Sequence, residues 1–436
     1  AAYKAGEYFD EGEESIHKAI ARFLEPINKD TDEIIKKAML PPMKRLGEEL
    51  RSGEMFIPDV LKKGAYALSQ QSLDVDGAYI LVEDTVTAMK RLARFYRSTL
   101  DIKVVGITGS VGKTSTKEMI ASVLDTKFRV HKTQGNFNNG IGLPLTIFQI
   151  EKEHQVAVLE MGISEFGEMH ELADMAQPDI MVITNIGLCH LENLKTRDGI
   201  LKAKTESFAH LKPDGVVILN GDDDKLSTVE QVAGRKPVFY GIKGRNLCET
   251  SVCADAVTEH GLEGMTAEFH TPQGDMEVFI PIPGEHNVYN ALAAVAVCSY
   301  FDLPKDRICH ALEHLYVNGR MEIVHTSKRC TVIVDYAHNA ISMESLLKTL
   351  RDYHPKRLVC VFGCGGNRSK DRRYSMGEIG GRLADLSILT ADNSRYEKVE
   401  DIIADIRGSI EKTGGKFVEI PDRREAIRYS IVNAQP

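Results

Sequence analysis

A strand, a glycine loop and a helix in immediate succession constrain this chain more than any other feature. The apolar run KVVGIT leads straight into Thr108-Gly109-Ser110-Val111-Gly112-Lys113-Thr114-Ser115, and a helical pattern follows in STKEMIASVL. Glycines let backbone N–H groups converge on phosphate oxygens, and the N-terminus of a helix adds the positive end of its dipole. Lys113 is placed to neutralise the β- and γ-phosphates of a nucleotide, and the Thr114 hydroxyl to ligate Mg²⁺. The spacing departs from G-x-x-x-x-G-K-T, because position 107 is Ile and the nearer glycine is Gly109. An ordinary turn could contain the triplet GKT by chance. The strand before it and the helix after it favour nucleotide binding, so residues 108–115 are expected to hold ATP with Mg²⁺.

The rest of the chain fits around that unit. From Lys103 to about Leu315, apolar strand candidates (KVVGIT, VAVLEM, IMVITN, GVVILN) alternate with helical patterns, which implies a parallel sheet with helices on both faces. A strand-rich insertion follows (SVCADAV, MTAEFH, MEVFIPI), then a helix beginning near Asn287. From about Val317 a second alternating set begins, CTVIVDY, RLVCVFG, LSILTA and KFVEI, and reads as a second doubly wound unit. Upstream, residues 12 to about 72 are helical only. Met39, Met43, Leu46 and Leu50 form one helical stripe, with Pro41 and Pro42 breaking or kinking it. Between the two regions, AYILVE and TAMKRLARFYRS read as a short strand and an amphipathic helix. The expected fold is therefore α/β. A P-loop-type central domain (101–315) with a parallel sheet and a Rossmann-like C-terminal domain (316–436) follow a small all-α bundle (1–74) and a linker strand and helix (75–100).

Composition narrows the function classes. A net charge of −9 argues against a general nucleic-acid binder, whose footprint is basic. No stretch approaches the roughly 20 apolar residues that span a bilayer, and the polar, acidic opening AAYKAGEYFDEGEE is no secretory signal. The eight cysteines form no CxxC pair and no metal-finger spacing, as expected of reduced thiols in a cytoplasmic protein. The chain opens without Met, which reads as processing or a fragment.

Taken together, TGSVGKTSTKEM, GNFNNGIGLPLTIF, VAVLEMGISEFGEM, ITNIGLCHLENL, ILKAKTESF, VILNGDD and GEHNVYNALAAVAV resemble the central domain of the Mur ligases of bacterial cell-wall synthesis. They are most similar to the ligase that adds D-alanyl-D-alanine. NGRMEIV, VIVDYAHNAISMESLL, GCGGNRSKDRRYSMGEIG and TADNSRYE instead resemble the ligase that adds diaminopimelate or lysine, so the chain reads as a mosaic within one family. Folylpolyglutamate synthases and cyanophycin synthetases share some of these motifs but lack the GNFNNGIGLPLT run. The early segment LPPMKRLGEELRSGEMFIPDVL looks like the helical cap of cobalamin-binding proteins, without the D-x-H-x-x-G motif whose His ligates cobalt. A leftover or recruited bundle is the favoured reading there. Of the usual uridine-nucleotide-binding domain, only the final strand and linker helix are recognisable. The chain stops at NAQP, where family members continue, so the C-terminal domain is expected to be truncated.

The resemblance implies an ATP-dependent acid–amino-acid ligase. A carboxylate of a UDP-N-acetylmuramoyl peptide is activated as an acyl phosphate, and an amine then attacks to form the amide. Lys113, Lys204, His190 and Arg320 are the implied catalytic set. Glu160 and His190, each at the C-terminal end of a strand, are implied metal ligands with Thr114. Lys204, which composition alone would make a solvated helix residue, matches the lysine these enzymes carbamylate, which turns a cation into an oxygen ligand for a hard metal. Asn287 and Asn290 are implied at adenine, and Arg320, Asp335 and His338 at the ATP phosphate and ribose. Asn138 and Asn139 match the loop that meets the nucleotide-sugar peptide, although Asn is also a common cap and turn residue. Asp392, Asn393 and Arg395 are similar to the D-N-P-R motif of the diaminopimelate-adding ligases, with Ser394 in place of Pro. Arg395 offers a planar fork for a second carboxylate, unless it makes a surface salt bridge to Glu397 or Glu400. The expected amine is therefore meso-diaminopimelate. The alternatives are D-alanyl-D-alanine addition, a folate or cyanophycin type of ligase, or a non-catalytic corrinoid-related module. Neither nucleic acid nor membrane is an expected partner.

Overall fold

The computed structural model describes residues 3–4, 67–72 and 79–435, apart from 246 and 318. The helical bundle expected over 1–74, with its stripe of Met39, Met43, Leu46 and Leu50, falls almost wholly outside the described residues, and its described part corrects the all-α expectation, since Tyr3–Lys4 and Ala67–Ser69 are strands that each pair parallel with Tyr79–Leu81. The chain forms two compact units. One holds the described residues up to Cys253 with His270–Gly274 and Tyr289–Ile308; the other holds Ala254–Phe269, Asp275–Val288 and the described residues from Cys309 onward.

In the first unit, β1 (Ala67–Ser69) and β2 (Tyr79–Leu81) run parallel and lead into helix α1 (Thr85–Ser98). Asp84 caps α1 by accepting from the Thr87 amide at 2.6 Å. Ala93, Tyr96 and Arg97 form the helix's buried face. Arg97 is 2% exposed, yet it is matched by carbonyls: Nε donates to Ala176 O at 3.0 Å and Nη1 to Leu100 O at 3.2 Å, with Asp179 at 3.8 Å. A buried guanidinium persists only with such partners, so Arg97 pins the linker helix to the Ala176–Asp179 turn that leads into the sheet.

That sheet is built from β3 (Lys103–Thr108), β4 (Val130–Lys132), β5 (Val156–Glu160), β6 (Ile180–Ile183), β7 (Val216–Asn220) and β8 (Val238–Ile242). All pairings are parallel, in the order β4-β5-β3-β6-β7-β8. Helices α2 (Lys113–Asp125), α3 (Gly142–Ile147), α4 (Glu168–Ala176), α5 (Leu191–Leu194) and α6 (Arg197–Thr205) connect them. A strand covered on both faces reads as a continuous apolar run. Accordingly Val104, Val105 and Ile107 are all 0% exposed, each contributing about 1.5–3 kcal/mol of burial. Chain order reverses around β3, which places the loop after it at the ligand crevice of an open α/β sheet.

The expected insertion strands appear as β9 (Val252–Glu259), β10 (Met265–His270) and β11 (Met276–Ile280), and β10 and β11 pair antiparallel. Helices α7 (His286–Tyr300) and α8 (Lys305–Glu313) follow.

In the second unit, β14 (Val359–Phe362), β15 (Leu386–Leu389) and β16 (Phe417–Glu419) form a parallel sheet. Helices α9 (Ala340–Asp352), α10 (Asp371–Leu383), α11 (Val399–Thr413) and α12 (Arg423–Val432) accompany it. One expectation is corrected. CTVIVDY does not join that sheet. It forms β13 (Thr331–Val334), paired antiparallel with β12 (Glu322–Thr326). The cause is local: Ser327 donates its amide to Cys330 O at 3.0 Å, closing a tight turn that folds MEIVHT back on TVIV. Both strands are largely exposed, unlike the run's apolar composition suggests.

Candidate active site

The loop after β3 has the geometry that its glycines require. Gly109 (φ 152°) leaves no room for a side chain, since an added Cβ would lie 1.8 Å from Thr184 Oγ1. Gly112 is left-handed (φ 80°) and caps α2, with Asn290 Oδ1 standing 2.8 Å from where a Cβ would be. The first turn of α2 holds no acidic residue, so its amides and dipole end are available to an anion. The residues after β6 hold the loop's shape. Thr184 Oγ1 donates to Val111 O at 2.6 Å, the Val111 amide donates to Asn185 Oδ1 at 3.0 Å, and the Gly187 amide donates to Ser110 Oγ at 2.8 Å. Thr108 Oγ1 is buried and has no hydrogen-bond partner among the described residues.

Two lysines converge on one oxygen. Lys113 Nζ donates to Gly109 O at 2.9 Å and Lys204 Nζ donates to the same carbonyl at 3.1 Å. Lys204 is 3% exposed; burial first, then the charge of Lys113, push its amine down to about 7. A neutral, nucleophilic amine is thus available there near neutral pH. His190, left-handed at φ 62°, is held below the usual histidine range by desolvation and then by Lys204 and Lys113. A non-glycine residue in that region is strained, as residues at functional sites often are.

Thr114, next to Lys113 in the chain, pairs with a carboxylate. Glu160, at the end of β5, is 2% exposed. Its Oε2 accepts from Thr114 Oγ1 at 3.0 Å and its Oε1 from Asn138 Nδ2 at 2.8 Å, while its amide donates to Thr133 Oγ1 at 2.9 Å. Lys117 Nζ lies 4.0 Å from Glu160 and donates to Thr133 O at 2.7 Å. Thr133, Lys117, Thr184 and Asn185 are absent from the sequence-derived set. Lys117 carried a signal, since it stands four residues after Lys113 on the apolar side of α2. The hydroxyl–carboxylate pair, the half-buried Lys113 and the buried Lys204 fit a nucleotide triphosphate with a hard divalent cation, because each needs charge of the other sign to be stable there.

The other expected residues divide by role. Asn139 Oδ1 accepts from the amides of Ile141 and Gly142, at 3.1 and 2.8 Å, and so shapes the entry to α3. Asn290 Oδ1 accepts from Thr116 Oγ1 at 3.0 Å beside the loop, whereas Asn287 Nδ2 donates to Pro283 O at 2.8 Å. In the second unit, Asp335 accepts from the amides of Met321 and Ala337, both at 2.8 Å. Arg320 lies over the Tyr336 ring at 4.7 Å, and His338 Nδ1 donates to Tyr336 O at 3.1 Å.

Arg395 does not make the salt bridge weighed for it. Its Nη1 donates to Gly366 O, and Glu397 pairs at 2.7 Å with Arg373 instead. The Gly366 amide donates to Asn393 O at 2.8 Å, and the Tyr396 amide to Asn367 Oδ1 at 3.2 Å. The loop carrying Asp392, Asn393 and Arg395 is thereby zipped to the glycine loop after β14.

Residues 107–298 match the Mur ligase middle domain, residues 319–436 the glutamate ligase domain of Mur ligases, and residues 6–67 a B12 binding domain. The chain is 33% identical to the UDP-N-acetylmuramoyl-L-alanyl-D-glutamate–2,6-diaminopimelate ligase of Caldanaerobacter subterraneus subsp. tengcongensis, over 88% of this chain and 82% of that one. It is 35% identical to the UDP-N-acetylmuramoyl-tripeptide–D-alanyl-D-alanine ligase of Bacillus subtilis, over 88% and 87%. The crystal structure of the MurF ligase of Thermotoga maritima in complex with ADP superposes with a TM-score of 0.64 at 27% identity, covering 86% of this chain and 90% of that one. The chain belongs to the Mur ligase family, whose members are ATP-dependent ligases.

Proposed function

We propose that this ligase joins the carboxylate of a UDP-N-acetylmuramoyl peptide to an amino acid in peptidoglycan precursor synthesis, with meso-diaminopimelate as the amine. The observation that carries the reading is the convergence of Lys113 and Lys204 on Gly109 O, beside a Thr114 that pairs with Glu160. Residues 101–315 would serve as the ATP-binding domain and residues 316–436 as the amine-binding domain.

With a nucleotide in the loop, Lys113 exchanges its carbonyl partners for phosphate oxygens, a stronger charge-assisted contact. The neutral amine of Lys204 adds to carbon dioxide, forms an N–C bond and releases one proton to solvent, so a neutral buried amine becomes an anion. That change also removes the like-charge conflict with Lys113. Thr114, Glu160, His190 and the Lys204 carbamate would hold Mg²⁺, which neutralises charge on the transferring phosphoryl group. Asn138 orients Glu160 from the loop assigned to the peptide substrate. Arg395 would receive the distal carboxylate of diaminopimelate, which lysine and D-alanyl-D-alanine lack.

A second reading, addition of D-alanyl-D-alanine, is favoured by the contact that Asn138 of GNFNNGIGLPLT makes with Glu160 and by the relative from Bacillus subtilis. ADP release decides between them. Uridine-linked muramoyl dipeptide with diaminopimelate should turn over faster than with lysine. Turnover confined to the tripeptide with D-alanyl-D-alanine would hand the assignment to the second reading, and no ADP release with either set would overturn both.

A further inference from the structure

Outside the nucleotide loop, three metal-ligating side chains share the solvent-facing end of α8. The sequence His310-Ala-Leu-Glu313-His314 puts its polar groups at i, i+3 and i+4, one turn of a helix apart. One ligand atom from each of His310, Glu313 and His314 lies within 4.8 Å of the others, and all three residues are exposed. The intervening Ala311 and Leu312, and Leu315 just beyond, are buried, so the opposite face is anchored.

The imidazoles are arranged for coordination. Their ring centroids are 4.3 Å apart and tilted by 44°. His314 Nδ1 lies 2.9 Å from His310 O, and a carbonyl can only accept, so Nδ1 carries the proton. In the neutral ring the lone pair is then on Nε2, with the ring fixed by a backbone partner, the arrangement usual for metal-binding histidines.

We propose that His310, Glu313 and His314 bind a divalent cation of the zinc class, with water completing a tetrahedral shell. Two imidazoles and a carboxylate suit Zn²⁺ and discriminate against Mg²⁺, which demands oxygen ligands in octahedral geometry. This site is separate from the oxygen-rich one beside Lys113, and it does not depend on the ligase reading.

The test uses the full chain, stripped of metal and titrated with Co²⁺ and Zn²⁺. Co²⁺ should give visible absorption of tetrahedral intensity, and Zn²⁺ should displace it. His314→Ala and His310→Ala should each weaken binding at this site by at least about tenfold, and Glu313→Gln should weaken it less. Both histidine variants should keep the parent's melting temperature without metal and its ADP release with Mg²⁺, because the three side chains face solvent. Equal Zn²⁺ stoichiometry and affinity in the parent and the His310→Ala/His314→Ala double variant would overturn the proposal, as would an octahedral Co²⁺ spectrum.

Discussion

The two units treat their candidate site residues in opposite ways. In the first, Lys113 and Lys204 share the Gly109 carbonyl, Thr114 and Asn138 hold the Glu160 carboxylate, and Glu160 and Lys204 are 2% and 3% exposed. In the second, Asp335 and Arg395 bond mainly to backbone groups of neighbouring loops, and His338 stands exposed. Buried charge tolerates no unpaired partner, so the first arrangement is rigid and its members depend on one another. Loop residues near solvent can be exchanged at lower cost, which suits a surface that selects among amines. The difference implies a division of labour: changes in the first unit should lower turnover with every amine, and changes in the second should alter which amine is used.

The largest effect should come from Lys113→Ala. On the proposed reading it removes a charge-assisted phosphate contact, and it should lower ADP release on the order of 10²–10³-fold with any amine, comparable to losing a preorganised transition-state donor. Calorimetry should show weaker ATP binding as well. Unchanged ATP affinity would remove the loop from the site and break the comparison.

Lys204→Ala should cost somewhat less, about 10²-fold, because small molecules can replace part of what is lost. Added formate or acetate should restore some turnover, and bicarbonate should raise the activity of the parent only. A variant that keeps full activity in carbon-dioxide-free buffer would exclude the carbamate.

Arg395→Ala should lower turnover with diaminopimelate roughly 10- to 100-fold, the range for one hydrogen bond to a charged group, and leave lysine nearly unaffected. Equal losses with both amines would move Arg395 from selection to loop folding, since its present partner is the Gly366 carbonyl.

How far these features were legible in the sequence follows from the range of the interactions. The strand KVVGIT and the helix from Lys113 are local patterns, and the structure returns both. Glu160 could be placed at the end of its strand. Its contacts to Asn138, 22 residues away, and Thr114, 46 residues away, depend on which strands become neighbours. The shared use of Gly109 O by Lys204 spans 95 residues and has no local sequence signature. CTVIVDY was misplaced for the opposite reason. Its apolar run fits a buried parallel strand, but the turn at Ser327–Cys330 pairs it with its own neighbour first.

The smallest effect separates the units by acid sensitivity. His131 in β4 is 8% exposed, and its Nε2 donates to Thr146 O at 3.0 Å. Burial, and then His154, push its imidazole down to about 4, against the pull of the Thr146 carbonyl. Between pH 6.5 and 4 the unfolded chain therefore binds a proton that the folded chain does not, so folding stability rises with pH across that window and is lost as pH falls through it. At about 1.4 kcal/mol per pH unit, the loss from this one group reaches up to about 3 kcal/mol. By contrast the histidines from Cys309 onward, His310, His314, His325, His338 and His354, are all exposed, although His286, earlier in the second unit, is also held below the usual range by desolvation. Acidification should therefore loosen residues 103–160 before residues 359–413, read as hydrogen exchange in peptides from the two stretches. His131→Gln keeps a donor for Thr146 without a titrating ring, so its first unit should lose less protection between pH 6.5 and 4 than the parent's. Identical pH dependence in parent and variant would show that His131 carries no such burden.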